Sequence, residues 1–131
     1  MFIGTPAFAA PVTATFENLG SAPMTVDSAR SCTAIQPAVQ TVAPGQTSLP
    51  SSVDCGGYVS TMIITYSMGT KSCHFNIETT YTPPNPLIMG STGGWAPTIS
   101  ANGYGATCKI VKEDISQLST TGAFAATFSM K

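Results

Sequence analysis

Alternating apolar and polar residues mark the segment 71–81, KSCHFNIETTY, as a β-strand with one buried face. The inward positions are Cys73, Phe75, Ile77, Thr79 and Tyr81. An apolar strand pattern at 58–66 precedes it, and the short connector 67–70 contains a glycine. The two segments therefore predict a β-hairpin.

The same reasoning predicts further strands at 104–112, 123–130, 12–18 and 23–26, with short strands at 38–42 and 96–101. A single helical turn is expected within 113–118. Pro- and Gly-rich loops at 43–46, 82–86 and 90–94 punctuate the pattern. With no long helical periodicity, the chain is predicted to be all-β: an antiparallel, immunoglobulin-like β-sandwich of about seven or eight short strands.

The opening residues resemble the end of a secretory signal. Ala7-Phe8-Ala9 is a small-x-small triplet of the kind signal peptidases cut, and a β-like alternation begins at Val12. We therefore expect a signal-peptide remnant at 1–9 and a single secreted domain at 10–131, located in the periplasm, at the cell surface or outside the cell. The alternative is an ordinary first strand with an apolar lead-in.

The 131 residues are 43% hydrophobic and only 8% charged, with a net charge of −1. Lys and Arg are scattered, so no basic patch is available for nucleic acid or for anionic membranes. No stretch is long and apolar enough to cross a membrane. Weak charge repulsion makes self-association easier than for an average protein.

An even count of four cysteines in an exported chain favours two disulfides, for which three connectivities exist. Cys32 and Cys55 lie in loop-like contexts, whereas Cys73 and Cys108 lie in apolar strand faces. We therefore favour Cys32–Cys55 and Cys73–Cys108. A zinc site is not expected, because there is no Cys-x-x-Cys and a single histidine.

No group of residues in the sequence indicates a catalytic site. His74 and Glu78 share the polar face of one strand but stand roughly 13 Å apart along it. No nucleophile elbow, phosphate loop or calcium loop occurs. We expect no enzyme activity and no cofactor.

Trp95 follows Gly93-Gly94 and is expected to lie on a loop. It could stack on a sugar or sit at a membrane interface, with Tyr58, Tyr66 and Tyr104 completing a ligand-binding surface. The alternative is that Trp95 folds back as a lid over an open end of the sandwich.

These features favour a non-enzymatic secreted or cell-surface module, such as a pilus-like filament subunit or an adhesin domain. The first strand, with Val12, Ala14 and Phe16 on one face, could be donated to a neighbouring copy, or it could pair within its own domain. The alternative functions are a lectin- or toxin-like protein that binds sugar or lipid, and a periplasmic inhibitor or immunity-type protein with one partner protein. An aromatic cluster at one end of the sandwich would favour the sugar- or lipid-binding function.

Overall fold

A computed structural model describes residues 10–131, which form two four-stranded β-sheets packed against each other. The predicted signal remnant at 1–9 lies outside the described residues. In chain order the elements are β1 (Val12–Asn18), β2 (Thr25–Ser31), β3 (Ser51–Val53), β4 (Val59–Met68), β5 (Lys71–Thr82), β6 (Gly94–Tyr104), β7 (Cys108–Asp114), α1 (Leu118–Thr121) and β8 (Phe124–Met130). The predicted all-β sandwich is confirmed.

The first sheet has the strand order β3-β1-β8-β7. Buried and half-buried positions alternate along β1, as its sequence predicts. β1 runs antiparallel to β3 but parallel to β8, with Phe16 opposite Phe128. This parallel pair joins the first and last strands and is an exception to the antiparallel pattern.

The second sheet has the order β2-β4-β5-β6, and all its pairs are antiparallel. The predicted hairpin is present as β4 and β5, which are connected through Gly69 and Thr70. Gly69 has φ 65°, a left-handed conformation that glycine adopts without steric cost. The next connection, residues 83–93, joins β5 to β6.

Aromatic rings from both sheets meet at the centre of the core. The ring centroid of Phe16 lies 4.9 Å from that of Tyr66, 5.5 Å from Phe75 and 5.7 Å from Phe128. The Tyr66 hydroxyl donates a hydrogen bond to the carbonyl of Gln40 over 2.8 Å. Burial raises the pKa of Tyr66, because the phenolate would lose its hydration.

Both predicted disulfides are confirmed, each with a Cα–Cα distance of 5.7 Å. Cys73 on β5 pairs with Cys108 at the start of β7, and Cys32 after β2 pairs with Cys55 after β3. Each bridge therefore links one sheet to the other. Two such bridges are typical of proteins that fold in an oxidising compartment.

The strand predicted at 104–112 is displaced in the structure. β6 ends at Tyr104 and β7 begins at Cys108 in the other sheet, with a bend between them. Gly105 has φ 70°, which lets the chain turn from one sheet to the other. The apolar alternation from Tyr104 to Ile110 therefore spans two strands.

Other boundaries differ at the less regular parts of the chain. β2 extends to Ser31, the strand Ser51–Val53 was not predicted, and 38–42 contributes only an isolated bridge from Val42 to Met24. The helical turn expected within 113–118 instead begins at Leu118, because Glu113 and Asp114 pair with β8.

Candidate binding surface

Three aromatic side chains, Tyr58, Tyr81 and Trp95, form a row across one end of the second sheet, here called the aromatic row. The ring centroids of Tyr58 and Tyr81 are 5.7 Å apart, and those of Tyr81 and Trp95 are 5.1 Å apart. Tyr81 pairs with Trp95 in the β5–β6 ladder, and its backbone N–H donates to the carbonyl of Tyr58 over 2.6 Å. The row therefore follows from register, because paired residues project from the same face of a sheet.

Trp95 lies in strand β6, and the prediction that it lies on a loop is wrong. The β5–β6 ladder extends to Thr82 opposite Gly94, so the glycines that suggested a loop include the first residue of the strand. The half-buried indole packs directly on Gly122, where an added Cβ would overlap the ring. Gly122 lies between α1 and β8, so Trp95 packs against the segment that leads into the first sheet, and a lid over the core stays a prediction.

Tyr104 does not join the aromatic row. It lies at the opposite end of β6 from Trp95, roughly 30 Å along the strand, and is 80% exposed. Tyr66 is fully buried against Phe16 in the core, so its proposed place in a binding surface is wrong. Of the four aromatic residues proposed from the sequence, the structure thus brings together Tyr58 and Trp95. Tyr81 completes the row, and the sequence analysis missed this role because Tyr81 continues the buried face of β5.

The loop 83–93 carries three consecutive large apolar side chains, Leu87, Ile88 and Met89, here called the apolar tip. Their exposed fractions are 91%, 60% and 101%. The sequence analysis missed this feature, although its signal is visible as Leu-Ile-Met after a proline-rich turn. These side chains make little contact with the rest of the described chain.

Internal hydrogen bonds shape the loop that carries the apolar tip. The Ile88 N–H donates to the Asn85 carbonyl and the Ser91 N–H to the Ile88 carbonyl, each over 3.1 Å. The Asn85 N–H donates to the Ser91 hydroxyl over 2.8 Å, and the Leu87 N–H to Asn85 Oδ1 over 2.9 Å. The apolar side chains thus project from a folded turn rather than from an extended segment.

The apolar tip and the aromatic row belong to the same end of the molecule. Gly93, at the base of the loop, lies against both Tyr81 and Pro84. A Cβ on Gly93 would be 2.6 Å from the Tyr81 hydroxyl oxygen and 2.7 Å from Pro84 Cδ. The loop base therefore rests on the central ring of the aromatic row.

The segment that supplies the apolar tip, Tyr81 and Trp95 carries no charge. Residues 79–108 contain no Asp, Glu, Lys, Arg or His, and the flanking charged residues are Glu78 and Lys109. The polar groups between them are hydroxyls, amides and backbone. A ligand that contacts this segment meets apolar, aromatic and neutral hydrogen-bonding groups.

The proposed donor residues Val12, Ala14 and Phe16 are fully buried on the inward face of β1. Both edges of β1 are occupied within the chain, by β3 and β8. A role for β1 in completing a neighbour's sheet stays a prediction, and it requires β1 to leave these partners.

His74 lies in β5, and its Nδ1 is 2.9 Å from the Thr65 hydroxyl on the neighbouring strand. Within residues 10–131, no group of three His, Cys, Asp or Glu side chains is arranged to hold a metal ion.

A cavity of about 290 Å³ lies along residues 37–51, next to the first sheet. Its lining includes Gln40, Thr47, Ser48 and Leu49 and contains no titratable side chain. It offers neutral hydrogen-bonding groups without an aromatic platform.

Among the described residues, no helix has the length and apolarity needed to cross a membrane. No protein-family model matches the chain, and no curated protein matches it either.

Proposed function

We propose that this chain is a non-enzymatic, exported adhesive module that attaches through the end of the sandwich formed by the aromatic row and the apolar tip. The observation that carries the proposal is the apolar tip itself, three consecutive side chains that are 60% exposed or more. Contiguous apolar surface on a soluble domain marks a site that a partner covers.

Other exposed apolar residues do not form such a group. Leu19, Leu49 and Val111 are exposed at separate places in the chain, and single residues of this kind are common on protein surfaces. At the tip, by contrast, the apolar residues are adjacent, held by a hydrogen-bonded turn, and supported by aromatic rings. This concentration of apolar surface favours attachment through one end of the sandwich over nonspecific hydrophobic contact across the whole surface.

The proposal is tested by measuring attachment of the oxidised protein to intact cells, immobilised glycans and lipid vesicles. The test variant is Leu87→Ser/Ile88→Ser/Met89→Ser, which removes the apolar tip. The matched control, Leu19→Ser/Leu49→Ser/Val111→Ser, removes the same number of exposed apolar residues elsewhere. We expect the tip variant to lose attachment and the control to keep it. Equal behaviour of the tip variant and the wild type, including no attachment by either, contradicts the proposal.

A second candidate function is assembly into a surface filament, which the edge of β6 favours. Among the described residues, this eleven-residue strand pairs with β5 alone and carries no charge. Uncharged edges can accept a strand from another chain. Light scattering and negative-stain electron microscopy test this function. Defined polymers support it, and a monomer at every concentration contradicts it.

A further inference from the structure

Resting on the proposed function, we infer that the partner is the interface of a lipid bilayer with zwitterionic headgroups. The apolar tip enters the acyl boundary, and the aromatic row lies at the level of the headgroups.

The apolar tip has the chemistry for shallow insertion. Leu87, Ile88 and Met89 have no polar side-chain group that loses hydration on entering hydrocarbon, and their exposed surface is available for transfer. They project from a turn rather than line a groove or a flat face. A projecting apolar group needs a deformable medium around it, which a bilayer provides without a complementary pocket.

Part of the loop backbone is hydrogen-bonded within the loop itself. Four N–H groups, those of Asn85, Leu87, Ile88 and Ser91, already have acceptors within the loop. An unpaired backbone N–H is costly to place in lipid. These four groups therefore keep their hydrogen bonds when the apolar tip enters the interface.

The aromatic row lies behind the tip, where the boundary between hydrocarbon and water would fall. Tyr and Trp combine an apolar ring with a polar group and concentrate at such interfaces. Because Gly93 connects the loop base to Tyr81, the row and the tip would enter the interface together.

The charge pattern selects the type of lipid. Since residues 79–108 carry no charge, the apolar tip and the strand ends that hold it offer no cation to anionic headgroups. Association would be driven by apolar transfer and would not depend on salt in the way that screened charge attraction does. Binding therefore requires only zwitterionic lipid.

The expected binding is weak and reversible. Three apolar side chains are comparable in size with one acyl chain, which gives an association constant on the order of 10⁴ M⁻¹. The measurement therefore needs lipid raised to about 5 mM, well above the corresponding dissociation constant.

The test is flotation of the oxidised protein with phosphatidylcholine vesicles, with and without phosphatidylserine, at low and high salt. We expect co-flotation with phosphatidylcholine alone, little change with salt, and a blue shift in the emission of the single Trp95. Replacing the tip with Leu87→Ser/Ile88→Ser/Met89→Ser should weaken partitioning by about 100-fold or more, since transfer of one such side chain is worth roughly tenfold. Circular dichroism checks that this variant is folded.

The control Leu19→Ser/Leu49→Ser/Val111→Ser should partition like the wild type. Equal loss in both variants overturns the inference, as does binding that requires phosphatidylserine and disappears in salt. Absence of vesicle binding alongside tip-dependent attachment to glycans or cell-surface protein overturns the lipid partner but leaves the proposed function standing. Absence of any tip-dependent attachment overturns both.

Discussion

Removing the disulfide Cys73–Cys108 is expected to destabilise the sandwich more than removing Cys32–Cys55. The variants are Cys73→Ala/Cys108→Ala and Cys32→Ala/Cys55→Ala. Both bridges join the two sheets, so the comparison isolates the effects of loop length and burial. Cys73 is fully buried in the core, whereas Cys32 is exposed in a loop.

Loop length alone predicts a small difference between the two variants. The bridges span 35 and 23 residues, for which the chain-entropy relation gives about 3.8 and about 3.4 kcal/mol. Truncating the buried Cys73 also removes packed sulfur from the core, which adds roughly 1 kcal/mol. The expected losses are therefore about 5 kcal/mol for Cys73–Cys108 and about 3.4 kcal/mol for Cys32–Cys55.

Urea denaturation of both variants and the wild type, followed by circular dichroism, measures these losses. Free energies of unfolding must be compared rather than midpoints, because a chain without its bridge exposes more surface on unfolding. A loss in Cys32→Ala/Cys55→Ala equal to or larger than that in Cys73→Ala/Cys108→Ala would refute the reasoning from burial.

Three further outcomes are expected. Phe16→Ala should lower the free energy of unfolding, measured by urea denaturation, by about 3–5 kcal/mol, since it leaves a cavity at the centre of the aromatic core. A loss below about 1 kcal/mol would contradict the placement of β1. Gly122→Ala should displace Trp95 and red-shift its fluorescence, because the new Cβ meets the indole. The control Gly45→Ala, at a glycine with φ 75° and open space around it, imposes only backbone strain. Equal fluorescence spectra for both variants would contradict the packing of Trp95 on Gly122. Because the pKa of Tyr66 is raised on folding, its contribution to the free energy of unfolding is complete below pH about 10 and is lost as the pH rises further. Tyr66→Phe should therefore reduce the loss of stability at alkaline pH, as measured by denaturation at a series of pH values. An unchanged alkaline slope would contradict this assignment.

The sequence predicted the inner strands well because each has a face in the core. β1, β5 and β8 show alternating burial, and the same period is visible in their residues. The edge strands were harder to predict. β2 and β6 are largely exposed on both faces, so no alternation of apolar residues marks their full length.

The sequence predicted only some residues of the aromatic row, because the rest depends on how the strands pair. Trp95 and Tyr58 stand out in the sequence as aromatic residues near Gly-rich segments, but their proximity depends on register across β4, β5 and β6. Tyr104 shares strand β6 with Trp95 and yet lies at the other end, which composition cannot show. Tyr81 reads as one more core residue, because periodicity does not show where a strand reaches the end of the core.

The most direct test of bilayer attachment is quenching of Trp95 fluorescence by phosphatidylcholine brominated along its acyl chains. Trp95 is the single tryptophan of the chain and belongs to the aromatic row, so its emission reports on this end alone. If the apolar tip inserts, bromine near the headgroup end of the acyl chains quenches Trp95 more strongly than bromine near the bilayer centre. Flotation with the vesicles but no quenching at any depth would show that another surface binds, and would contradict the account.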